Sequence, residues 1–236
     1  MSLTLDNVSC HYASVQILHG ISLTLDKGEI LGMLGRNGAG KTTTLKAIMG
    51  LIRVRTGSIS LDQNNISTLP AHEVPKLGVA YVPQGRRLFS HLSVQENLEM
   101  GLLVRNSGQD ILAWALDLFP ELKPRLRQRA GTLSGGQQQM VATARALCTQ
   151  PDYLLLDEPS EGLQPSLVET ILQTASTLKQ QGVGVLLVEQ KVDAVLRIAD
   201  RVVFLENGSL PHESTPQALE EDPEPLLHYV GVRHGA

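Results

Sequence analysis

The chain has 236 residues, of which 42% are hydrophobic and 19% are charged, with a formal net charge of −4. This composition is typical of a soluble globular protein long enough to bury a full core, and its acidic balance gives no support for binding nucleic acid or an anionic membrane through bulk charge. Two cysteines, Cys10 and Cys148, are too few for a disulfide scaffold and favour a reducing compartment, and no apolar run approaches the ~18 residues of a membrane span.

The first part of the chain predicts a small antiparallel sheet. Residues 3–8 alternate apolar and polar side chains, residues 15–25 do the same, and the turn signal Asp-Lys-Gly follows. Tyr12 lies between the two segments. The pattern leaves two interpretations of this ring open: it is partly buried, or it is a platform on which a nucleobase stacks.

Residues 35–42 read G-x-x-x-x-G-K-T, the pattern of a phosphate-binding P-loop. An apolar run of strand length precedes the loop and a helical stretch follows it, which is the context that the motif requires. Glycines let several N–H groups point at one anion, and the helix N-terminus adds partial positive charge. Lys41 is expected to reach the β- and γ-phosphates, and Thr42 to offer its hydroxyl to Mg²⁺. The predicted nucleotide-binding residues of this loop are Gly35, Arg36, Asn37, Gly38, Ala39, Gly40, Lys41, Thr42 and Thr43.

A mainly helical segment follows. Residues 79–82 form a buried strand that leads to Gln84, and apolar residues with helical spacing then extend from Ser93 to about Gln128. Another helix opens at residues 133–137, Leu-Ser-Gly-Gly-Gln. We therefore predict one domain over residues 1–236, with a helical subdomain inserted at about residues 86–150.

Two further buried strands end in polar residues. Residues 153–156 precede Asp157 and Glu158, and residues 184–188 precede a segment that contains Gln190. In an open α/β sheet the carboxyl ends of the strands face the ligand, so Asp157 can hold Mg²⁺ and Glu158 can take a proton from an attacking water. Apolar strands that alternate with helices imply a parallel sheet covered on both faces. The predicted fold class is therefore α/β.

The last part of the chain carries weaker signals. Residues 201–205 form one more predicted strand. From Pro211 the tail is rich in proline and glutamate, and it predicts only one helical stretch, near residues 217–219. The tail is too short for a separate domain.

Residues 133–137 form a second device for binding an anion, because Ser134 and the two glycines after it place a hydroxyl and free N–H groups at a helix start. One chain then has two phosphate-binding devices and one obvious nucleotide pocket. The second device is expected to serve the nucleotide of another subunit. A flexible helix cap is the alternative interpretation.

Together these motifs resemble the ATP-binding subunit of an ATP-binding-cassette (ABC) transporter. The resemblance extends from Tyr12 to residues 229–231, and residues 133–137 match the family's signature motif in the family's order. It implies a P-loop NTPase of the ABC ATPase type, with a parallel-sheet core, an N-terminal antiparallel β-subdomain and an inserted helical subdomain. It also implies hydrolysis of ATP with Mg²⁺, a head-to-tail dimer around two nucleotides, and permease subunits that hold the protein at the cytoplasmic face of the membrane.

The resemblance assigns roles to particular residues. Tyr12 is implied as the base-stacking aromatic, Gln84 as the residue that senses Mg²⁺ and the attacking water, and Glu158 as the catalytic base. Residues 160–164 are implied to cross to the partner subunit. The implied catalytic residues are Glu158, Gln84 and Gln190. The implied metal-binding residues are Thr42, Gln84 and Asp157. The signature residues implied to bind nucleotide across the dimer are Ser134, Gly135, Gly136 and Gln137.

Two positions depart from the family pattern. Gln190 stands where the family usually has a switch histidine, and Gln164 stands where the partner-crossing loop usually has Asp. A glutamine amide can donate a hydrogen bond to the γ-phosphate but carries no charge. Both departures therefore bear on how fast the site turns over.

These two departures narrow the set of subfamilies that the chain resembles. Gln190, with residues 38–43, 81–89 and 187–190, resembles one of the two ATPases of branched-chain amino-acid importers. We predict a subunit that powers import of branched-chain or other hydrophobic amino acids, with a different chain as the second ATPase and a periplasmic binding protein involved only indirectly. The ATPase of urea importers shares most of these features and is the alternative.

A non-transport ABC ATPase of the DNA-repair type is disfavoured. Only about ninety residues separate Thr42 from Leu133, and they lack the sustained heptads of a long coiled coil. The acidic balance also argues against a nucleic-acid partner.

A permease needs a patch to dock into. Leu88 and Phe89 are apolar and are flanked by arginines on one side and by Ser90 and His91 on the other, which suits an interface. We predict a docking groove lined by Arg86, Arg87, Leu88, Phe89 and Leu92. The alternative is that Phe89 packs inside the helical subdomain.

Overall fold

Two β-sheets and the helices packed on them make up the protein, and the computed structural model describes residues 1–231. The strands are β1 (Ser2–Tyr12), β2 (Val15–Asp26), β3 (Ile30–Leu34), β4 (Val54–Leu61), β5 (Asn64–Asn65), β6 (Val79–Val82), β7 (Tyr153–Asp157), β8 (Gly184–Val188), β9 (Arg201–Glu206) and β10 (Ser209–Ser214). The α-helices are α1 (Lys41–Ile48), α2 (Val94–Leu102), α3 (Gln109–Leu118), α4 (Gly135–Leu147), α5 (Pro165–Gln180), α6 (Val192–Leu196), α7 (Pro216–Glu221) and α8 (Glu224–Tyr229). Short 3-10 helices lie at Val74–Leu77, Pro120–Arg125 and Ala130–Thr132.

The N-terminal sheet has the order β2-β1-β4-β5 and is antiparallel, as the alternating pattern predicts. Leu3 and Leu5 are buried while Asp6 is exposed. β1 continues four residues past its predicted end because its register on β2 shifts between Leu5 and His11, which interrupts the alternation. The strand therefore reaches Tyr12, which pairs with Val15 at the end of the hairpin.

The central sheet has the order β10-β9-β3-β8-β7-β6. β3 pairs in parallel with β8 and β9, and β7 pairs in parallel with β8 and β6. The carboxyl ends of these five strands therefore meet at one edge of the sheet. The segments that leave β3, β6, β7 and β8 at that edge are the ones that carry the predicted site residues.

The core lies on both faces of the central sheet. Ile30 and Leu34 pack with the helices on one face, whereas Leu31 and Met33 pack with the N-terminal sheet and α1 on the other. Successive residues of a strand point to opposite faces, so a strand buried on both sides is apolar throughout. This is why β3, β8 and residues 153–156 of β7 are uninterrupted apolar runs in the sequence.

Helices α2, α3 and α4 lie within the predicted helical insertion. Ser93 caps α2 through reciprocal hydrogen bonds with Glu96, and α4 contacts both α2 and α3. The fully buried Asn97 of α2 accepts a hydrogen bond from the Phe89 N–H and donates one to the Phe89 carbonyl, both at 3.0 Å. These bonds fix the segment before α2. The boundaries at residues 86 and 150 stay a prediction.

The tail differs from its prediction. β10 pairs antiparallel with β9 at the edge of the central sheet, where the sequence predicted no strand. An edge strand tolerates a proline such as Pro211 and has few buried side chains, so it leaves little pattern. Two helices, α7 and α8, replace the single predicted stretch, and the Tyr229 ring lies 5.2 Å from that of Phe204. Residues 232–236 of the predicted domain lie outside the described residues.

Among residues 1–231, no helix has both the length and the apolar character that crossing a bilayer requires.

Candidate nucleotide site

A cavity of about 470 Å³ opens at the carboxyl edge of the central sheet. The P-loop, the segment after β6, the segment after β7 and the segment after β8 all contribute to its wall. The lining residues are Tyr12, Ile17, Asn37, Gly38, Gly40, Lys41, Thr42, Thr43, Gln84, Glu158, Glu161 and Gln190. The structure thus brings most of the sequence-predicted residues together in one place.

The Lys41 side chain curls back over the P-loop. Its Nζ donates hydrogen bonds to the carbonyls of Gly35 at 2.8 Å and Arg36 at 3.2 Å, and it lies 3.6 Å from Glu158 Oε1. The side chain is only 5% exposed. Burial lowers the pKa of Lys41, whereas the neighbouring carboxylates, Glu158 first, raise it.

The P-loop backbone fits a phosphate group. α1 begins at Lys41, and its N-cap residue, Gly40, has φ 114° and no side chain to cap the helix. The N–H groups of the first turn lack partners within the helix. A side chain at Gly38 would meet no atom within 4 Å, so open space lies beside the loop. Free donors next to open space are what an anion needs.

The remaining P-loop residues have different surroundings. Ala39 and Thr43 are buried at the base of the loop, while Arg36 and Asn37 are exposed. The Arg36 guanidinium donates a hydrogen bond to the His228 carbonyl at 3.2 Å, so this side chain contacts the end of α8. Ala39 is not among the residues that line the cavity.

Asp157 lies at the base of the site and is 1% exposed. Thr42 Oγ1 donates to its Oδ1 at 3.0 Å, and the Tyr81 hydroxyl donates to its Oδ2 at 2.9 Å. Burial raises the pKa of Asp157, and these two hydrogen bonds oppose the rise. The pairing of Thr42 with Asp157 supplies the oxygen ligands that Mg²⁺ prefers.

Glu158 is the point at which three predicted residues meet. Its Oε2 accepts hydrogen bonds from Gln190 Nε2 at 2.7 Å and Gln84 Nε2 at 3.2 Å, and Lys41 approaches its other oxygen. The backbone of Glu158 has φ 48°, which is uncommon for a residue other than glycine. The side chain is 9% exposed at the cavity wall.

The predicted stacking residue, Tyr12, lines the rim of the cavity with its ring 45% exposed. This position is compatible with both interpretations that the sequence left open, a partly buried ring and an exposed platform, so the stacking role of Tyr12 stays a prediction.

The signature residues lie apart from this cavity. Ser134 is the N-cap of α4, where its hydroxyl accepts a hydrogen bond from the Gln137 N–H and its own N–H donates to Gln137 Oε1. Gly135 faces the Arg86 guanidinium, which a Cβ would meet at 2.9 Å. None of the four signature residues is part of the cavity lining. Within one chain, they therefore do not contact the P-loop pocket.

Three residues of the site lie in segments that carry the resemblance but were not themselves predicted as site residues. Tyr81 bonds Asp157, Glu161 Oε2 accepts a hydrogen bond from Gln84 Nε2 at 2.9 Å, and Glu189 bonds the Ser160 N–H at 2.8 Å. The only available signal was position, because each lies in or just beyond a strand of the central sheet.

Comparison with known proteins places these features in a family. Residues 18–161 match the family model for the ABC transporter. The chain is 43% identical to the high-affinity branched-chain amino acid transport ATP-binding protein BraG of Pseudomonas aeruginosa, over 97% of this chain and 99% of that one. It is 38% identical to the probable branched-chain amino acid transport ATP-binding protein LivF of Archaeoglobus fulgidus, over 89% of this chain and 90% of that one. It is also 36% identical to the lipopolysaccharide export system ATP-binding protein LptB of Escherichia coli strain K12, over 98% of this chain and 97% of that one.

Solved structures give the same family. The ADP conformation of MJ1267, an ATP-binding cassette of an ABC transporter, superposes with a TM-score of 0.85 at 26% identity, covering 98% of this chain and 100% of that one. The dimeric structure of MJ0796, a bacterial ABC transporter cassette, superposes with a TM-score of 0.84 at 27% identity, covering 92% and 99%. The two-sheet architecture, the P-loop cavity and these likenesses agree, and the chain belongs to the ABC transporter family as an ATP-binding cassette with ATPase activity.

Proposed function

We propose that this ATPase powers an importer of branched-chain or other hydrophobic amino acids. The observation that carries the proposal is the 43% identity to BraG over nearly the full length of both chains. In this role the protein works at the cytoplasmic face of the plasma membrane, where permease subunits hold it. The solute contacts the permease and the binding protein rather than this chain.

The P-loop is proposed to hold the phosphates of ATP. Open space lies beside Gly38, Lys41 Nζ donates a hydrogen bond to the Gly35 carbonyl, and the loop residues that line the cavity are Asn37, Gly38, Gly40, Lys41, Thr42 and Thr43. Tyr12 at the cavity rim is proposed to stack on the adenine ring. An exposed aromatic residue beside the P-loop supports this role.

Thr42, Asp157 and Gln84 are proposed to hold Mg²⁺ with the phosphates. Thr42 Oγ1 and Asp157 Oδ1 are 3.0 Å apart, and both are hard oxygen donors. The ion would neutralise charge on the β- and γ-phosphates when it is bound. Among residues 1–231 there is no group of three or more His, Cys, Asp or Glu side chains that could hold a metal by themselves, which fits a site that shares its ligands with the nucleotide.

Glu158 is proposed as the general base. Water attacks the γ-phosphorus, the bond to the β–γ bridging oxygen breaks, ADP leaves, and a Glu158 carboxylate oxygen accepts the proton of the water. Gln84 and Gln190 donate hydrogen bonds to the same carboxylate oxygen at 3.2 Å and 2.7 Å, so they can orient it. Gln190 is further proposed to donate to the γ-phosphate.

A second ATPase subunit is proposed to complete the site, and we propose that it is a different chain. Ser134, Gly135, Gly136 and Gln137 lie outside the cavity of their own chain, and the first of them is exposed. They can therefore reach the nucleotide of a partner in a head-to-tail dimer. MJ0796 is a dimeric cassette with the same fold, which supports this arrangement.

An apolar groove of about 690 Å³ is proposed to receive the permease. Phe89 and Arg87 line it, whereas Leu88 packs against the core, Leu92 lines a separate cavity, and Arg86 faces Gly135. The predicted groove is therefore corrected to one that Phe89, Arg87 and residues of β6 line. Phe89 is 48% exposed, with the Arg145 guanidinium 5.4 Å from the centroid of its ring, which supports docking over packing inside the helical subdomain.

Export of lipopolysaccharide is the second candidate, because identity to LptB is 36% over almost the whole chain. Uptake of labelled leucine, isoleucine and valine by cells that lack this chain decides between the two. Import predicts that uptake falls and returns with the wild-type gene but not with Lys41→Ala. Normal uptake together with a defect in surface lipopolysaccharide would favour export instead, and a selective loss of urea uptake would assign the chain to a urea importer.

A further inference from the structure

Glu189 is a buried carboxylate for which the proposed mechanism has no use. It follows β8 directly and is 2% exposed. Burying a carboxylate is costly unless hydrogen bonds compensate. Burial raises the pKa of Glu189, while its hydrogen bonds with Ser160 and with the N–H groups of Gln190 and Lys191 oppose the rise. The cost of burying this carboxylate points to a specific role for Glu189.

The carboxylate joins two segments that carry proposed catalytic groups. Its Oε1 accepts a hydrogen bond from the Ser160 N–H at 2.8 Å, and its Oε2 accepts one from the Gln190 N–H at 3.3 Å. Ser160 lies two residues after Glu158. One carboxylate therefore holds the chain after the proposed base and the chain at Gln190.

The side chains of Glu158 and Gln190 contact each other. Gln190 Nε2 donates to Glu158 Oε2 at 2.7 Å, and the Glu158 N–H donates to the Val188 carbonyl at 2.8 Å. Glu158 has a left-handed backbone, which persists only where its surroundings determine it. The bond from Ser160 to Glu189 fixes the chain just beyond that strained residue.

We infer that Glu189 is a positioning residue that holds the Glu158–Gln190 pair in register for hydrolysis. The inference rests on the proposed roles of Glu158 and Gln190. Glu189 itself does not line the cavity, so it acts through the backbone of the two segments. It is also one of the carboxylates that raise the pKa of Lys41, so it contributes to the field around the phosphate site.

A double-mutant cycle in kcat tests the inference on the full-length protein with Mg·ATP. Glu189→Gln keeps the side-chain volume but brings an NH₂ group toward backbone N–H donors. We expect it to lower kcat about tenfold and to change KM less than about threefold. Gln190→Ala should lower kcat similarly. Both changes disrupt the same pair. The kcat of the double variant should therefore lie no more than about twofold below that of the less active single variant.

Multiplicative loss in the double variant, on the order of a hundredfold, would overturn the inference, because Glu189 would then act independently of the pair. Full kcat in Glu189→Gln would overturn it as well. Glu206→Gln, at the end of β9, removes one carboxylate that is not part of the cavity lining and should keep kcat within about twofold. If Glu189→Gln does not fold, the cycle is run with Glu189→Asp, which keeps the charge.

The failure of the proposed mechanism has a different signature. If Gln190→Ala and Glu158→Gln both keep the parental kcat, the assignment of the site itself is wrong, and the inference falls with it. If those two variants lose activity while Glu189→Gln does not, only the inference fails.

Discussion

At the scale of single residues, Glu158 accepts hydrogen bonds from two glutamines and lies beside one lysine, on a backbone of unusual conformation. A carboxylate that only caps a helix would not need three partners from three separate segments. The arrangement instead holds one oxygen pair at the cavity wall. This is the geometry expected of a base that must meet a water molecule in one orientation.

Glu158→Gln keeps the shape of the side chain but removes the base. We expect kcat for ATP to fall by about 10²- to 10⁴-fold while ATP still binds. The nucleotide-sandwiched dimer should then accumulate, and size-exclusion chromatography with Mg·ATP detects it. Glu161→Gln is the informative comparison, because Glu161 also accepts a hydrogen bond from Gln84. Turnover retained in Glu158→Gln and lost in Glu161→Gln would move the base to Glu161.

Gln190→His tests whether this position contacts the proposed base, Glu158. An imidazole has an ordinary pKa of about 6.5, and a carboxylate nearby raises it, whereas an amide does not titrate. Gln190 Nε2 is 2.7 Å from Glu158 Oε2, so an imidazolium would pair with the base. We expect the ratio of variant to parent kcat to fall as pH decreases from about 7.5 to 6, with KM nearly unchanged. Superimposable pH–rate profiles would count against a contact at this position.

The sequence singles out residues whose chemistry follows from a local pattern, but not residues whose contacts depend on distant parts of the chain. Lys41, Asp157 and Glu158 are specified by local patterns, because a phosphate loop and a strand end impose the same chemistry wherever they occur. Tyr81 reaches Asp157 only because β6 lies beside β7, and these two strands are far apart in the sequence. Glu189 looked like one polar residue among several until its contact with Ser160 was seen.

At the scale of elements, the strand, loop and helix of residues 30–48 form one unit. β3 is buried on both faces, so it fixes where the loop starts, and a Cβ at Gly35 would come within 2.3 Å of the Leu205 carbonyl. The start of α1 is held against the same sheet. The two ends of the loop are therefore anchored to the central sheet.

Lys41→Ala tests this unit. It removes the ammonium that bonds two loop carbonyls and faces Glu158, so we expect loss of turnover of about 10²-fold or more with the fold intact. Circular dichroism and ATPase assays measure the two effects. Lys46→Ala, one turn later on α1 and outside the nucleotide cavity, is the matched control and should retain turnover. A Lys41→Ala protein with full activity would refute the role of the loop.

The boundaries of elements were predictable in proportion to their burial. β6 and β8 are buried runs and begin where the sequence predicted. β10, in contrast, was missed altogether. It lies at the edge of the central sheet, where few of its side chains are buried and the hydrophobic pattern is correspondingly weak.

At the scale of the whole molecule, the central sheet separates two cores and gathers the site at one edge. The strand order β9-β3-β8-β7-β6 cannot be read from local patterns, because each parallel neighbour comes from a distant part of the chain. The α/β class could be predicted from the alternation of buried strands and helices, and the ABC ATPase fold from the order of the motifs. Where the signature helix lies relative to the P-loop had to come from the structure.

At the same scale, the groove that we propose for the permease lies next to the nucleotide cavity. Tyr12 lines both the groove and the nucleotide cavity, and Tyr81 lines the groove while its hydroxyl bonds Asp157. A permease helix seated there would lie within one residue of the base of the site. A movement of the segment after β6 could then couple the nucleotide to the proposed permease contact directly.

Phe89→Ala tests the docking role of the groove. The ring is 48% exposed, and its backbone is fixed by Asn97 rather than by the ring. Truncation should therefore cost the isolated subunit less than about 1 kcal/mol of unfolding free energy and leave its basal ATPase unchanged. Assembly with the permease should weaken by about tenfold or more, because a buried aromatic anchor commonly contributes at least 1–2 kcal/mol to an interface. Leu77→Ala, 46% exposed and outside the groove, is the matched control and should assemble normally. A loss of 3–5 kcal/mol in the isolated Phe89→Ala subunit would mean that the ring is part of the core, and unchanged assembly would move the docking surface elsewhere.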